Sequence, residues 1–347
     1  MRNEILNCLS IGINPRVLAL ALASIPSLFL YPKAVADENT RRDHHWNTLV
    51  EFVYMRRAKV HNETIVKDAN KPLNPCKTCP TTEVIDSKDL VNRMGFEPGF
   101  RAALMYTENP KSSFEINFLY LQEWEGEKKV HGNASLSFPF SHPGYVIDYS
   151  NASVAKAENS MHFWDVELNY WRHFTPRFVD YFSLSGIFGL RYFHWNEGFE
   201  LTMTKPPDKS KYAIDTKNDI FGVQAGLDLQ VNPTKWLTWD FVTKVGLMAD
   251  HAKMKTVLRD VNDTVKVRNF HKQKWQTGYF ADVAATLGFQ FKENVNLHAG
   301  YEVLFFSGLA LAPEQINKGT KFSSGDDIYT KGGAIIHGLY AGIIVSF

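Results

Sequence analysis

The sequence predicts an all-β fold: a closed antiparallel transmembrane β-barrel of about 10 strands, with short turns at one end and long loops at the other. Three observations predict it. Apolar residues recur at every second position in a series of runs between residues 46 and 347, the mark of strands with one apolar face. The connections between runs alternate short and long, as in barrels with short periplasmic turns and long extracellular loops. No stretch after residue 36 reaches the about 18 apolar residues of a membrane helix, so alternating strands must do any crossing.

Composition narrows the class. The chain has 347 residues, 38 Lys+Arg against 37 Asp+Glu, 44% hydrophobic and 14% aromatic residues. Balanced charge argues against a nucleic-acid partner, which asks for a basic surplus. The apolar content is too high for a disordered chain. Cys8, Cys76 and Cys79 are the only cysteines, so no disulfide framework holds the fold.

Residues 1–36 read as a signal peptide. Arg2 and Arg16 precede an apolar run over 17–31, and Ala34-Val35-Ala36 closes it, the A-x-A pattern of cleavage after Ala36. The barrel is expected over 37–347.

Ten strands follow in order: 46–57, 99–107, 114–125, 161–174, 181–201, 219–231, 237–257, 275–291, 295–309 and 335–347. Each carries one apolar parity, for example Phe114, Ile116, Phe118 and Tyr120, or Phe221, Val223, Ala225 and Leu227. Tyr145–Tyr149 leaves room for one more hairpin. The short connections hold the turn formers Asn109-Pro110, Thr175-Pro176, Asn232-Pro233 and Asn294. The long ones are 58–98, 126–160, 202–218, 258–274 and 310–334. An even count with both ends on the short-turn side suits a bacterial single-chain barrel with periplasmic termini.

Alternation does not say which face is inside. Three details favour apolar residues outward. The polar parity carries charges at mid-strand: Glu51, Arg101, Glu115, Glu123, Asp165, Glu167, Arg191, Asp228, Asp240, Lys244, Asp282 and Glu302. Gly and Ser are interleaved with them, which suits a crowded lumen better than a solvated face. All eight tryptophans, Trp46, Trp124, Trp164, Trp171, Trp195, Trp236, Trp239 and Trp275, fall at or near strand ends, where aromatic girdles form. The last strand ends on Phe347 with Leu339, Ile343 and Val345 before it, a pattern like the signal read by the barrel-insertion machinery. The partners expected are therefore outer-membrane lipid and that machinery.

Several runs carry a further resemblance. They include Trp46 with Glu51-Phe52-Val53-Tyr54, Gly99-Phe100-Arg101-Ala102, and Asp165-Val166-Glu167-Leu168-Asn169. Gly189-Leu190-Arg191-Tyr192 with Glu197, Phe221-Gly222 with Gly226-Leu227, and Gly338-Leu339 with Gly342 complete the set. Across 46–347 these short motifs resemble the BBP family of porin-like outer-membrane β-barrel proteins, found in planctomycetes and chlamydia-like bacteria. The resemblance implies the bacterial outer membrane and no enzyme activity.

Candidate chemistry is sparse. Cys76-Lys77-Thr78-Cys79 lacks the second ligand pair of a zinc site. Outside the cytoplasm it suits a loop disulfide or a cross-link to other envelope proteins. No cofactor is expected, since no phosphate-binding loop or nucleophile elbow appears. The inward charges allow a filled, hydrogen-bonded lumen or a narrow cation-favouring path. About eight strands are filled by side chains and 16 or more leave a channel, so a mostly filled lumen is favoured. The expected role is that of a porin-like or structural envelope component with a polar, acid-rich lumen, and a surface-exposed adhesive or structural barrel with a closed lumen is the alternative. The enzymatic alternative is a rim hydrolase using His194, Glu197, Asp208, Asp215, Asp250 and His251.

Overall fold

The computed structural model describes residues 46–58, 61–68, 83–140, 149–174, 181–260, 265–319 and 327–347. The expected leader, its cleavage after Ala36, Cys76 and Cys79 lie outside the described residues, as does most of Tyr145–Tyr149.

Among the described residues twelve strands form in chain order: β1 Trp46–Ala58, β2 Thr64–Asp68, β3 Glu83–Asp86, β4 Phe96–Asn109, β5 Ser112–Ser137, β6 Ala152–Phe174, β7 Phe182–Lys205, β8 Asp208–Thr234, β9 Leu237–Asp260, β10 Val265–Lys292, β11 Val295–Leu309 and β12 Gly332–Ser346. Ten of them close a ring, in the order β1, β4, β5, β6, β7, β8, β9, β10, β11, β12 and back to β1. All ten contacts are antiparallel. Closure removes the free edges that an open sheet would expose. Its last seam runs from Asn47↔Ser346 to Ala58↔Ile335.

Short turns close one end as the sequence chemistry dictates. Lys111 N–H donates to Asn109 Oδ1 at 2.9 Å, and Leu237 N–H donates to Thr234 Oγ1 at 3.1 Å. Such local side-chain acceptors hold a turn in place of a ladder bond.

The apolar parity stands outside. Phe52, Leu190, Val223, Leu247 and Leu339 are 57–70% exposed, while Glu51, Asp165, Glu167, Arg191 and Asp282 are 4% exposed or less. Water would reverse this arrangement. Lipid requires it, because a closed barrel satisfies every backbone group internally and offers side-chain hydrocarbon to the acyl chains. The protein is an integral β-barrel of the bacterial outer membrane, the membrane in which this architecture resides.

Strand lengths are unequal. Crossing a bilayer takes about 9–11 residues. β1, β4, β11 and β12 have 13 to 15 residues, whereas β5 to β10 have 23 to 28. Six neighbouring strands therefore continue past the lipid as a tall wall. The expected long loops 202–218 and 258–274 are mostly strand: the β7–β8 hairpin runs to Lys205↔Asp208, and β9–β10 to Asp260↔Val265. The loop expected over 126–160 is likewise shortened at both ends by β5 and β6.

The reason is a switch of parity. In β8 the apolar residues Phe221, Val223 and Leu227 face out, but further along Tyr212 and Ile214 face in and are fully buried. Beyond the lipid the outside meets water, so oil moves to the inner face. The inner face of the tall wall is covered by β2, β3 and a short helix, α1 (Ser87–Arg93), all three within the connection expected as a loop over 58–98. Ile65, Ile85, Leu90, Phe199, Leu201, Tyr212 and Ile214 belong to one buried cluster there. Asp86 starts α1 with a capping box: its side chain accepts from Asp89 N–H at 2.7 Å, and Asp89 Oδ2 accepts from Asp86 N–H at 3.2 Å.

Leu190 tests the orientation. Leu190→Arg is expected to cost about 2–4 kcal/mol, the depth-dependent penalty of a cation on the lipid face, in urea unfolding of the vesicle-embedded protein. A cost below about 0.5 kcal/mol, typical of a solvated surface position, would place that face in water.

Candidate functional site

The lumen is the candidate site, and β7 reads through it. From the short-turn end its inward residues are Ser185, Ile187, Gly189, Arg191, Phe193, Trp195, Glu197, Phe199, Leu201 and Met203. This order gives three layers: charged, aromatic and apolar.

In the charged layer three cations bridge strands that are not neighbours. Arg191 on β7 reaches Asp165 on β6 at 2.6 Å, Glu167 at 3.2 Å and Asp282 on β10 at 3.0 Å. Lys244 on β9 reaches Glu167 and Asp282, both at 2.9 Å. Arg101 on β4 pairs Glu51 on β1 at 2.8 Å and also bonds Glu302 on β11. His298 Nε2 lies 2.7 Å from Glu51 Oε1. Gln224 and Asn169 each donate to Glu167, at 2.8 and 3.1 Å. A buried charge without such partners would cost several kcal/mol, so these residues act as cross-braces. Glu115 and Asp240 are half-buried members of the same inner face and Asp228 is buried.

Glu123 is the exception among the expected lumen charges. It is exposed on the outer surface. The β5–β6 register shifts between Leu121 and Trp124; such a bulge inserts a residue and flips the faces beyond it.

The same shift turns Trp124 inward. It is fully buried, and its indole N–H donates to Met55 O at 3.1 Å. Trp195 is also fully buried, because it shares the parity of Arg191 on β7. Trp171 shares the inward parity of Asn169 on β6 and is half-buried. These three are corrected from girdle to lumen. Trp46, Trp236, Trp239 and Trp275 are 40–63% exposed at the ends of the belt, and half-buried Trp164 is on the outward parity with Val166.

The aromatic layer was not foreseen. Phe163 on β6 and Phe306 on β11 have ring centroids 5.8 Å apart, although five places separate these strands around a ring of ten. Phe193 lies 5.0 Å from both Phe280 and Phe306. Arg191 stacks over Phe193 at 4.6 Å, tying this layer to the charged one. Glycine makes the room: a Cβ on Gly246 would sit 2.3 Å from the Phe280 ring, and one on Gly222 2.7 Å from it. The available signal was parity, since Phe163, Phe193 and Phe280 share the parity of the inward charges Asp165, Arg191 and Asp282 two residues away.

Above the rings, Glu197 is fully enclosed with Arg57 of β1. It accepts from Asn159 Nδ2 at 3.0 Å and from Ala312 N–H at 3.1 Å. Asn218 exchanges two bonds with the Ala310 backbone, at 3.0 and 2.9 Å. The β11–β12 connection is thus clamped inside the tall wall. Its 3-10 turn, Ala312–Gln315, carries Glu314. Burial pushes the Glu314 carboxyl up to about 7, with nearby Glu197 adding repulsion and a backbone hydrogen bond from His61 opposing.

The six hydrolase candidates are not brought together. Glu197 is paired with Arg57, and buried Asp250 accepts from Gln276 at 2.7 Å. Asp208 ends the β7–β8 hairpin and Asp215 is exposed. His194 and His251 lie on the outer wall, in a cross-strand rung running Trp164, His194, Asp219, His251, Trp275. Trp164 stacks on His194 at 5.3 Å and Trp275 on His251 at 4.6 Å. Asp219 accepts from His194 at 2.9 Å, from the Tyr192 hydroxyl at 3.2 Å and from Lys253 at 3.1 Å.

Among solved structures the chain is similar to the outer-membrane protease OmpT of Escherichia coli, with 10% identity over 91% of this chain and 99% of that one and a TM-score of 0.45. It is similar to the translocator domain of the autotransporter NalP of Neisseria meningitidis, with 9% identity over 96% and 98% and a TM-score of 0.37. It is also similar to Ail, the attachment invasion locus protein of Yersinia pestis, with 10% identity over 87% and 99% and a TM-score of 0.25. At these values the likeness carries no argument about activity. No family model and no curated protein matches the sequence.

Arg191→Ala leaves Asp165 buried without a cation and Asp282 with Lys244 alone. A loss of about 3–5 kcal/mol is expected in unfolding of the lipid-embedded protein, with a smaller loss for Arg191→Lys. Glu314 sets a pH signature. Its proton is held more tightly in the fold than in the unfolded chain, so its stabilising effect is full below its ordinary value of 4.5 and fades as pH rises to about 7. Unfolding measured against Glu314→Gln should therefore show the unsubstituted protein losing ground through that window and holding level above it.

Proposed function

We propose that this protein is a closed-lumen envelope barrel whose working surface is the wall beyond the lipid. One observation carries the reading: Phe163 and Phe306 touch from opposite strands, with Phe193 and Trp195 beside them at 0% exposure. A water path along the axis would have to cross those rings, and below them the bridges of Arg191, Lys244 and Arg101. The role is then structural or adhesive, through the tall wall and its tips, with no catalysis.

The porin-like reading is second. The acid excess of Glu115, Asp228 and Asp240 toward the short-turn end favours it, since carboxylate-lined passages favour cations. The short motifs of the belt support a relation to the porin-like BBP family. The partners in this reading are the barrel-insertion machinery, which reads the outward residues Leu339, Ile343, Val345 and Phe347, and other envelope proteins that meet Cys76 and Cys79.

Planar bilayers test the reading. The unsubstituted protein is expected to give no steady conductance steps, and Phe163→Ala combined with Phe306→Ala to give measurable ones. Stable, porin-sized steps from the unsubstituted protein would overturn a closed lumen.

A further inference from the structure

We propose that the outer wall of β8–β10, immediately beyond the lipid belt, binds the phosphate groups of a membrane lipid headgroup. The argument begins at the boundary. Phe221 and Tyr279 are 56% and 53% exposed in the belt. The next rung holds His251 stacked beneath Trp275, which is 63% exposed. Indoles collect at the headgroup level because one edge is wet and the other apolar.

One rung further out, Lys217 and Lys253 stand directly opposite each other on β8 and β9. Like charges so placed repel. Lys253 is engaged by Asp219 at 3.1 Å. Asp219 is itself shared with His194 and Tyr192. Lys217 makes no salt bridge among the described residues. On the following rung Lys255 lies between Asp215 and His271 in register, also without a salt bridge. These side chains line a trough of about 420 Å³, with Asn196 and His162 as neighbouring polar groups. Glu123 and Asp215 also line it and offset part of the charge.

The fold thus places two unbridged ammonium groups within reach of the headgroup layer and holds a third beside them. A phosphate there would relieve the Lys217–Lys253 repulsion. The occupant is a lipid rather than a soluble anion, because the trough starts where the acyl belt stops. A molecule whose chains lie along Phe221, Leu247 and Tyr279 brings its phosphates to the lysines.

The test uses the full chain in phosphatidylcholine nanodiscs with and without lipid A, whose disaccharide carries phosphate monoesters. Bound lipid A is read by native mass spectrometry, and a heat-modifiable gel shift confirms folding of each variant. Lys217→Gln with Lys255→Gln should weaken lipid A binding by about thirtyfold, the worth of two lysines at a membrane surface. Lys292→Gln, at the short-turn end, should leave binding unchanged, and excess inorganic phosphate should not displace the lipid. Undiminished binding in the folded double variant would overturn the proposal. So would an equal loss in Lys292→Gln, which would reflect general charge, or displacement by inorganic phosphate, which would mark a site for soluble anions.

Discussion

A guanidinium at the axis of a barrel has no bulk water to turn to, and Arg191 meets that constraint with three carboxylates from two strands, β6 and β10. Asp165, Glu167 and Asp282 surround it, and Lys244 ties two of them again. In a low-dielectric interior such groups are worth little when paired and cost much when orphaned. The network therefore contributes specificity of register. Slipping any strand by one residue would turn its charge into lipid and its oil onto the cations.

The layers above follow from the same geometry. Arg191 lies on Phe193, Phe193 meets rings from β10 and β11, and two bare glycines leave the inner wall low enough for Phe280. Higher still, Arg57 and Glu197 join β1 to β7 and pull in the backbone of Ala312. The interior is continuous from polar to aromatic to apolar, while the exterior passes from apolar to aromatic to charged. Each face is matched to its own solvent, and the two gradients run in opposite directions along the same strands.

Much of this was readable in the residues. The ten ring strands follow from period-two apolar runs, and eleven of the twelve expected inward charges share the inner face because parity alone places them. What failed has local causes. One inserted residue between Leu121 and Trp124 exchanged the faces of Glu123 and Trp124, and periodicity has no means of showing a bulge. Trp195 was assigned by its nearness to a strand end, when its parity with Arg191 already placed it inside. Residues 202–218 read as loop because their apolar positions, Tyr212 and Ile214, fall on the parity opposite to Phe221 and Val223. A search for one uninterrupted oily stripe stops at that crossing. The short helix was announced by Asp86 and Asp89, but its seven residues are too few for a helical period to emerge.

The unbroken passage of β5 to β10 across the membrane boundary has a mechanical corollary. β6 to β9 are bonded to neighbours on both sides along nearly their whole length and do not hinge, so the exposed wall and the embedded one form a single stiff body. Pulling on its tip would load the hydrogen-bond ladders in shear, which distributes force over many bonds at once. Glu125 and Glu127, exposed on its outer surface, contribute nothing to the packing within. Those positions can drift in sequence as a variable coat while the inner face stays fixed.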